Sequence, residues 1–250
     1  FHRLLAPDAL LFTEMVTAEA ILHGDLNRLL GHDQAEHPLA LQIGGSNPER
    51  LAAATKLAAG FGFDEVNLNI GCPSDRVQSG CFGAILMERP ALVADCVRAM
   101  AAASPAEVTV KCRIGVDDQT PQDVLPDFLA RMQDAGVRRV AVHARKAWLK
   151  GLSPKQNREV PPLDHALVVR MAQQFPGLAI SINGGIATLD QAQGFLATEL
   201  SGVMIGRAAY HTPAEVLLDV DSAIFGDDHA TPARFDIADA MRPHIAAHLD

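Results

Sequence analysis

No apolar run in this sequence is long enough to cross a bilayer as a helix, so no membrane partner is expected. Cysteine is scarce. Four residues (Cys72, Cys81, Cys96 and Cys112) show neither CxxC spacing nor the density of a disulfide framework. Reduced thiols in a cytoplasmic protein are the simplest expectation. Cys72 and Cys81 stand nine apart with no histidine at ligand spacing, so no metal centre is expected. Positive charge is also in deficit: 21 Lys and Arg face 30 Asp and Glu, a net charge of −9. That disfavours a non-specific nucleic-acid binder, and no DNA partner is expected. No glycine-rich GxGxxG follows the first strand, so a dinucleotide-binding fold lacks its fingerprint.

What is present is regular. Apolar runs alternate with helical stretches along most of the 250 residues. LLFTEM (10–15), LALQIG (39–44), EVNLNIG (65–71), VTVKCR (108–113), RVAVHAR (139–145), AISINGG (179–185) and GVMIGR (202–207) read as strands. Helices are expected after each, including 89–103, 121–135, 164–175, 188–197 and 213–223. The helix after 44 should start at Asn47-Pro48, with Asn47 as N-cap and Pro48 in the first turn. Continuous apolar strands imply burial on both faces, as in a parallel sheet wrapped by helices. The fold expected is an α/β TIM (β/α)8 barrel. FHRLLAPDA reads as the end of a helix running into a strand, so a first strand is expected ahead of residue 1. Residues 1–225 form the barrel domain in this reading. Residues 226–250 form a polar linker and a first amphipathic helix of a C-terminal helical domain.

Polar residues recur at the strand ends: Glu14, Gln42, Asn69, Lys111, His143, Asn183 and Arg207. In a barrel these ends converge on one mouth, where active sites are built. Asn183-Gly184-Gly185 and Gly206-Arg207 follow the last two strands, where barrels commonly bind phosphate. Turn glycine is the plain alternative for either loop alone. A mouth lysine such as Lys111 needs a negative partner. A ligand anion, a reduced flavin ring, or Schiff-base chemistry would each give it a role. Gln42 can donate and accept, which suits the edge of a flavin ring. Cys72 lies between Gly71 and Pro73 at a strand exit, where a thiol is usable as an acid or nucleophile. Cys96 and Cys112 fall within a helix and a strand and read as core. From Arg138 to Arg158 there are seven basic residues and no acidic one. A solvated loop explains that island as well as a binding surface does.

Taken together, LNIGCPSDRVQSGCFGA, VKCRIG, VHARKAWLKGLSPKQNREVPPL, INGGI and MIGRAAY resemble the tRNA-dihydrouridine synthases, in particular their A-type bacterial branch. The string His143 to Leu163 is the most specific part. The resemblance implies an FMN-dependent enzyme that reduces D-loop uridines 20 and 20a of tRNA, with NADPH as reductant. Cys72 would be the proton donor to uracil C5. Gln42, Lys111 and His143 would contact the flavin. Asn183, Gly184, Gly185, Gly206 and Arg207 would hold its phosphate. Asn69 would touch the target uridine, and Arg145, Lys150, Ser153, Lys155, Gln156, Asn157 and Arg158 would meet the tRNA. A monomer is expected. The rival readings are an FMN-barrel reductase of a small pyrimidine or enoate, and a tRNA-binding fragment without catalysis.

Overall fold

The computed structural model describes residues 1–74, 80–227 and 231–247. Eight parallel strands form one curled sheet: β1 (Leu11–Phe12), β2 (Val16–Thr17), β3 (Leu39–Gly44), β4 (Glu65–Ile70), β5 (Glu107–Arg113), β6 (Arg139–His143), β7 (Ala179–Asn183) and β8 (Gly202–Met204). From β3 to β8 each strand pairs with the next in sequence, and both β1 and β2 pair with β3. Every ladder is parallel. The connections therefore run over the outside as helices, the βα architecture the sequence predicts.

The helices are α1 (His2–Leu5), α2 (Ala18–His23), α3 (Leu26–Leu30), α4 (Pro48–Ala58), α5 (Pro90–Ala103), α6 (Pro121–Asp134), α7 (His165–Gln174), α8 (Leu189–Leu196), α9 (Arg207–His211), α10 (Pro213–Leu217) and α11 (Arg234–Ala247). Local chemistry sets their starts. Asn47 Oδ1 accepts from the Arg50 N–H at 2.9 Å with Pro48 in the first turn. Asp164 and Thr188 cap α7 and α8 in the same way.

Two expectations need correction. The strand read at 10–15 is only Leu11–Phe12, and a second two-residue strand, Val16–Thr17, follows it. Thr13 Oγ1 accepts the Gln42 N–H at 3.1 Å, so a side chain takes a place the ladder would have used. The helix read at 213–223 is α10 followed by one π-helical turn, Asp221–Phe225, and α9 precedes it. Pro213 forces a fresh start, because its nitrogen cannot continue a helix.

A third difference positions the site. Strands β3 to β6 are largely buried on both faces, but only one face is apolar. Val66, Leu68, Ile70, Val108, Val110, Cys112, Val140, Val142, Ile180 and Ile182 alternate along β4 to β7 and join the main core beneath the helices. The opposite face carries Glu65, Asn67, Asn69, Thr109, Lys111, Arg113, Arg139 and His143. The barrel interior is therefore a polar column. Cys96 and Cys112 are fully buried, and burial pushes both thiols up to about 12, as core cysteines should be.

The last helix, α11, is docked. Ile237 joins a small cluster with Leu5, Ala6, Val216 and Leu217. Burying a side chain of that size contributes about 2 kcal/mol.

Candidate active site

The cysteine loop is fixed before its side chain does anything. β4 ends at Ile70, and the next two N–H groups, of Gly71 and Cys72, both donate to Asn69 Oδ1 at 3.0 Å. An Asn at a strand exit can close such a turn because its short amide reaches its own backbone two and three residues on. The Cys72 carbonyl accepts from the Ala84 N–H at 2.9 Å. Arg113 Nε donates to the Gly71 carbonyl at 3.1 Å. With its backbone held on three sides, Cys72 keeps a half-buried thiol 3.5 Å from Ser74 Oγ. Cys81 is exposed.

Around this loop the charge is one-sided. Lys111 forms no hydrogen bond or ion pair among the described residues. Its ammonium is pushed down to about 8 by burial and by Arg113 and Arg158. Arg113 is only 3% exposed, and burial brings it down to about 10. His143 is buried beside Arg113, Lys111, Arg145 and Arg158. Desolvation and those four cations hold the imidazole far below its ordinary range, so it is neutral. Arg145 Nε is buried without a hydrogen-bond partner among the described residues. No carboxylate acts on Lys111 among the described residues. An anionic, partly apolar ligand fits this arrangement, since it would supply the missing negative charge.

The glycine loop after β7 is shaped by close approach. Gly184 has φ +110°, and a Cβ there would lie 2.6 Å from His143 Cδ2. Gly185 has φ +74°, and its Cβ would meet Leu163 at 2.6 Å. Only glycine fits both conformations. His165 Nε2 bonds to the Gly184 carbonyl at 2.7 Å and pins the loop. Asn183 Nδ2 is spent on the Met204 carbonyl at 2.7 Å, so this residue ties β7 to β8. Gly206 is exposed and caps α9. Arg207 is turned to Glu159 Oε1 at 3.0 Å and to the Arg158 carbonyl at 3.1 Å. Its guanidinium is thus engaged by the neighbouring loop.

Gln42 belongs to a continuous chain of side-chain bonds. Its Oε1 accepts from Asn69 Nδ2 at 2.7 Å, and its Nε2 donates to Asn67 Oδ1 at 3.0 Å.

The basic island at 138–158 divides into three groups. Arg138 and Arg139 lie at the start of β6, the far end of the sheet. There Arg139 Nη2 pairs with Glu65 at 2.7 Å and Glu107 at 2.9 Å. Arg145 and Lys146 are held by main-chain carbonyls. Arg145 donates to those of Pro161 and Glu159, and Lys146 Nζ donates to Asp117 at 2.6 Å and Gln119 at 3.2 Å. Lys150, Lys155 and Arg158 are exposed, and their side chains form no bond among the described residues.

Asn157 corrects an expectation. Read as an RNA contact, it is completely buried. Its Oδ1 accepts from Trp148 N at 2.7 Å, and its Nδ2 donates to the Trp148 and Leu152 carbonyls at 2.9 and 3.2 Å. It is the internal pin of the loop. Ser153 and Gln156 are exposed but cap each other: Ser153 N donates to Gln156 Oε1 at 2.9 Å, and Gln156 N to Ser153 Oγ at 3.2 Å.

Sequence reading missed Arg113, Glu65, Asn67 and Thr109. The signal was available. Polar residues at 65, 67 and 69, and at 109, 111 and 113, keep the two-residue period of one strand face.

Comparison with known proteins agrees with the architecture. The family model described as "Dihydrouridine synthase (Dus)" matches residues 1–250. A tRNA-dihydrouridine(20/20a) synthase of Xanthomonas campestris is 54% identical over 250 residues, which is 100% of this chain and 73% of that protein. Proteins of the same description from Pseudomonas putida and Shewanella oneidensis are 52% and 53% identical, over 100% of this chain and 74% and 73% of theirs. Among solved structures, a DHODH of Eimeria tenella crystallised with ferulenol aligns with a TM-score of 0.52 at 14% identity. That alignment covers 79% of this chain and 62% of the other, and it speaks for the fold alone. A parallel βα sheet, a cysteine held at one strand exit and a family match running the whole chain lead to one assignment: the chain belongs to the dihydrouridine synthase family.

Proposed function

We propose that this chain reduces the 5,6 double bond of uridine 20 or 20a in tRNA, with FMN as the bound redox group and NADPH as the source of electrons. The observation that carries the reading is Cys72: a thiol on a loop fixed by Asn69, Ala84 and Arg113, beside Lys111, on which no carboxylate acts among the described residues. The relatives described as tRNA-dihydrouridine(20/20a) synthases support the choice of substrate.

FMN, when bound, supplies a hydride to uracil C6. The remaining work falls to the chain. Reduction at C6 leaves negative charge spread towards C5 and the C4 carbonyl, and a proton must arrive at C5. The Cys72 Sγ–H donates that proton, and solvent restores it. Lys111 and Gln42 would hold the flavin edge, Lys111 with positive charge and Gln42 with an amide. His143, kept neutral by its cationic neighbours, offers one donor and one acceptor without adding charge. Gly184 and Gly185 let backbone approach the flavin phosphate. Arg207, now paired with Glu159, would hold that phosphate by charge-assisted bonds. Asn69, already committed through its Oδ1 to the cysteine loop, positions the target base. A base at the bottom of a mouth must leave its stack, so the tRNA presents its uridine flipped. Lys150, Lys155 and Arg158 meet the RNA backbone.

The test is direct. The protein, loaded with FMN and given NADPH and unmodified tRNA, should form dihydrouridine at positions 20 and 20a. If the reduced flavin is oxidised no faster with tRNA than without it, the reading fails.

A further inference from the structure

We propose that Glu65 is a positioning residue for Cys72, acting from the opposite end of the sheet through a directional chain of hydrogen bonds. The functional part of this inference rests on Cys72 being the proton donor.

The chain is continuous. Thr109 Oγ1 donates to Glu65 Oε1. Asn67 Nδ2 donates to Thr109 Oγ1 at 2.7 Å, Gln42 Nε2 to Asn67 Oδ1 at 3.0 Å, and Asn69 Nδ2 to Gln42 Oε1 at 2.7 Å. Asn69 Oδ1 is thereby left to accept the N–H groups of Gly71 and Cys72. Glu65, Asn67 and Thr109 are each no more than 3% exposed, so solvent does not substitute for a missing partner. Glu65 stands at the start of β4 and Cys72 just past its end, about 20 Å of extended chain away.

The polarity of every link is set from both ends, by the carboxylate of Glu65 and by the Gly71 and Cys72 N–H groups, which only donate. Burial pushes the Glu65 carboxyl up while Thr109 and Arg139, the latter at 2.7 Å, pull it down; paired with Arg139 it is ionised, and an ionised carboxylate only accepts. Thr109 must therefore give its one proton to Glu65, so its oxygen accepts from Asn67. Each amide then has one orientation left, and the last presents oxygen to the cysteine loop. Reversing the first link sets the two ends of the chain against each other. A glutamine at 65 would turn its oxygen to Arg139 and its NH₂ to Thr109. The Thr109 hydroxyl would then donate to Asn67, the Asn67 and Gln42 amides would flip, and Asn69 would aim its NH₂ at two backbone N–H groups. Donor would face donor, and the loop would lose its anchor.

The experiment compares Glu65→Gln, Thr109→Val and the double variant in the FMN-loaded protein. Hydrogen exchange of peptides covering 67–74 reports the Gly71 and Cys72 amides, and peptides from α7 and α8 serve as the folding control. Glu65→Gln should speed exchange at Gly71 and Cys72 on the order of tenfold, the loss of one net hydrogen bond. Thr109→Val, which leaves the Glu65–Arg139 pair intact, should do the same. The double variant should be no worse than either, because both cut one chain. Dihydrouridine formation should fall in kcat, and Thr109→Val should lower it as Glu65→Gln does. If Glu65→Gln exchanges faster everywhere, Thr109→Val decides alone. Wild-type exchange at Gly71 and Cys72 in Thr109→Val, or additive effects in the double variant, would overturn the proposal. If the wild-type protein makes no dihydrouridine, the functional reading falls, and the exchange result still decides whether Glu65 sets the cysteine loop.

Discussion

Arg113 donates from Nε to the Gly71 carbonyl at 3.1 Å, one residue before Cys72. The same guanidinium sends Nη1 to the Asn157 carbonyl at 3.0 Å and the Lys146 carbonyl at 3.4 Å. Three main-chain oxygens replace the carboxylate a buried arginine usually takes. A strand exit that carries the cysteine and a loop that carries exposed cations are therefore held by one side chain. Replacing Arg113 with methionine should orphan these buried carbonyls at about 1–3 kcal/mol. Lysine should not rescue it, because an ammonium lacks the planar fork that spans both loops. Thermal denaturation gives the cost. Limited proteolysis at 144–163 tells whether the loop has come loose, and a loop as resistant as wild type would refute the bridging role.

Cys72→Ala should leave flavin reduction by NADPH intact and cut dihydrouridine formation by about 10²–10⁴, the usual contribution of a positioned acid. Cys81→Ala should be much milder. Cys81 is exposed, so no surrounding side chains fix the direction of its thiol. Single-turnover assays on unmodified tRNA separate the two steps. Near-normal product from Cys72→Ala would remove the thiol from the mechanism.

Lys111 links the mouth to pH. Its folded value, about 8, lies below the ordinary 10.5. Between these two values the unfolded chain binds more protons than the folded one, so stability rises with pH across that window. Below about pH 8 both states carry the charge, and the folded protein bears the full desolvation cost, at most about 3 kcal/mol. Lys111→Met should thus raise the melting temperature of the flavin-free protein at pH 7, by roughly 5 °C. The gain should shrink as pH passes from 8 to 10.5. The same substitution should weaken binding of an anionic ligand. A melting temperature unchanged by Lys111→Met at pH 7 would mean that the ammonium is fully solvated.

The strand order, most helix starts and the strand-end residues were legible because period and capping are local properties of the chain. Asn47-Pro48 and Thr188 say where a helix begins without reference to anything distant. The polar column was less legible. Glu65, Asn67 and Thr109 sit in runs rich in Val, Leu and Ile, and their partners lie 25 to 44 residues away in sequence. Asn157 misled for a related reason. A polar residue in a basic loop reads as surface, and only the turn geometry of 148–157 shows that its amide closes the loop from inside. Arg138 and Arg139 share the island with Lys150 in sequence but stand at the other end of a strand.

That division of the island yields a graded prediction. Charge reversal at Lys150, Lys155 and Arg158 should weaken tRNA binding and flatten its dependence on salt, since these three are exposed and unbonded among the described residues. Each phosphate contact removed should lower the slope of log K against log salt by about 0.9 for duplex-like backbone. Flavin content should hold for Lys150 and Lys155; Arg158, which acts on Lys111 and His143, should lower it as well. Reversal at Arg139 should leave the salt slope alone and destabilise the fold, because it breaks pairs with Glu65 and Glu107. Asn157→Ala should behave differently again. It removes the acceptor of Trp148 N and two carbonyl partners from a fully buried position, at about 1–3 kcal/mol, so the loop loosens while its charges remain. Affinity should then fall with the salt slope nearly unchanged. Filter binding across a salt series measures all five variants together. An equal loss of slope from Arg139 and Lys150 would mean that tRNA covers both ends of the sheet, which a single mouth does not allow.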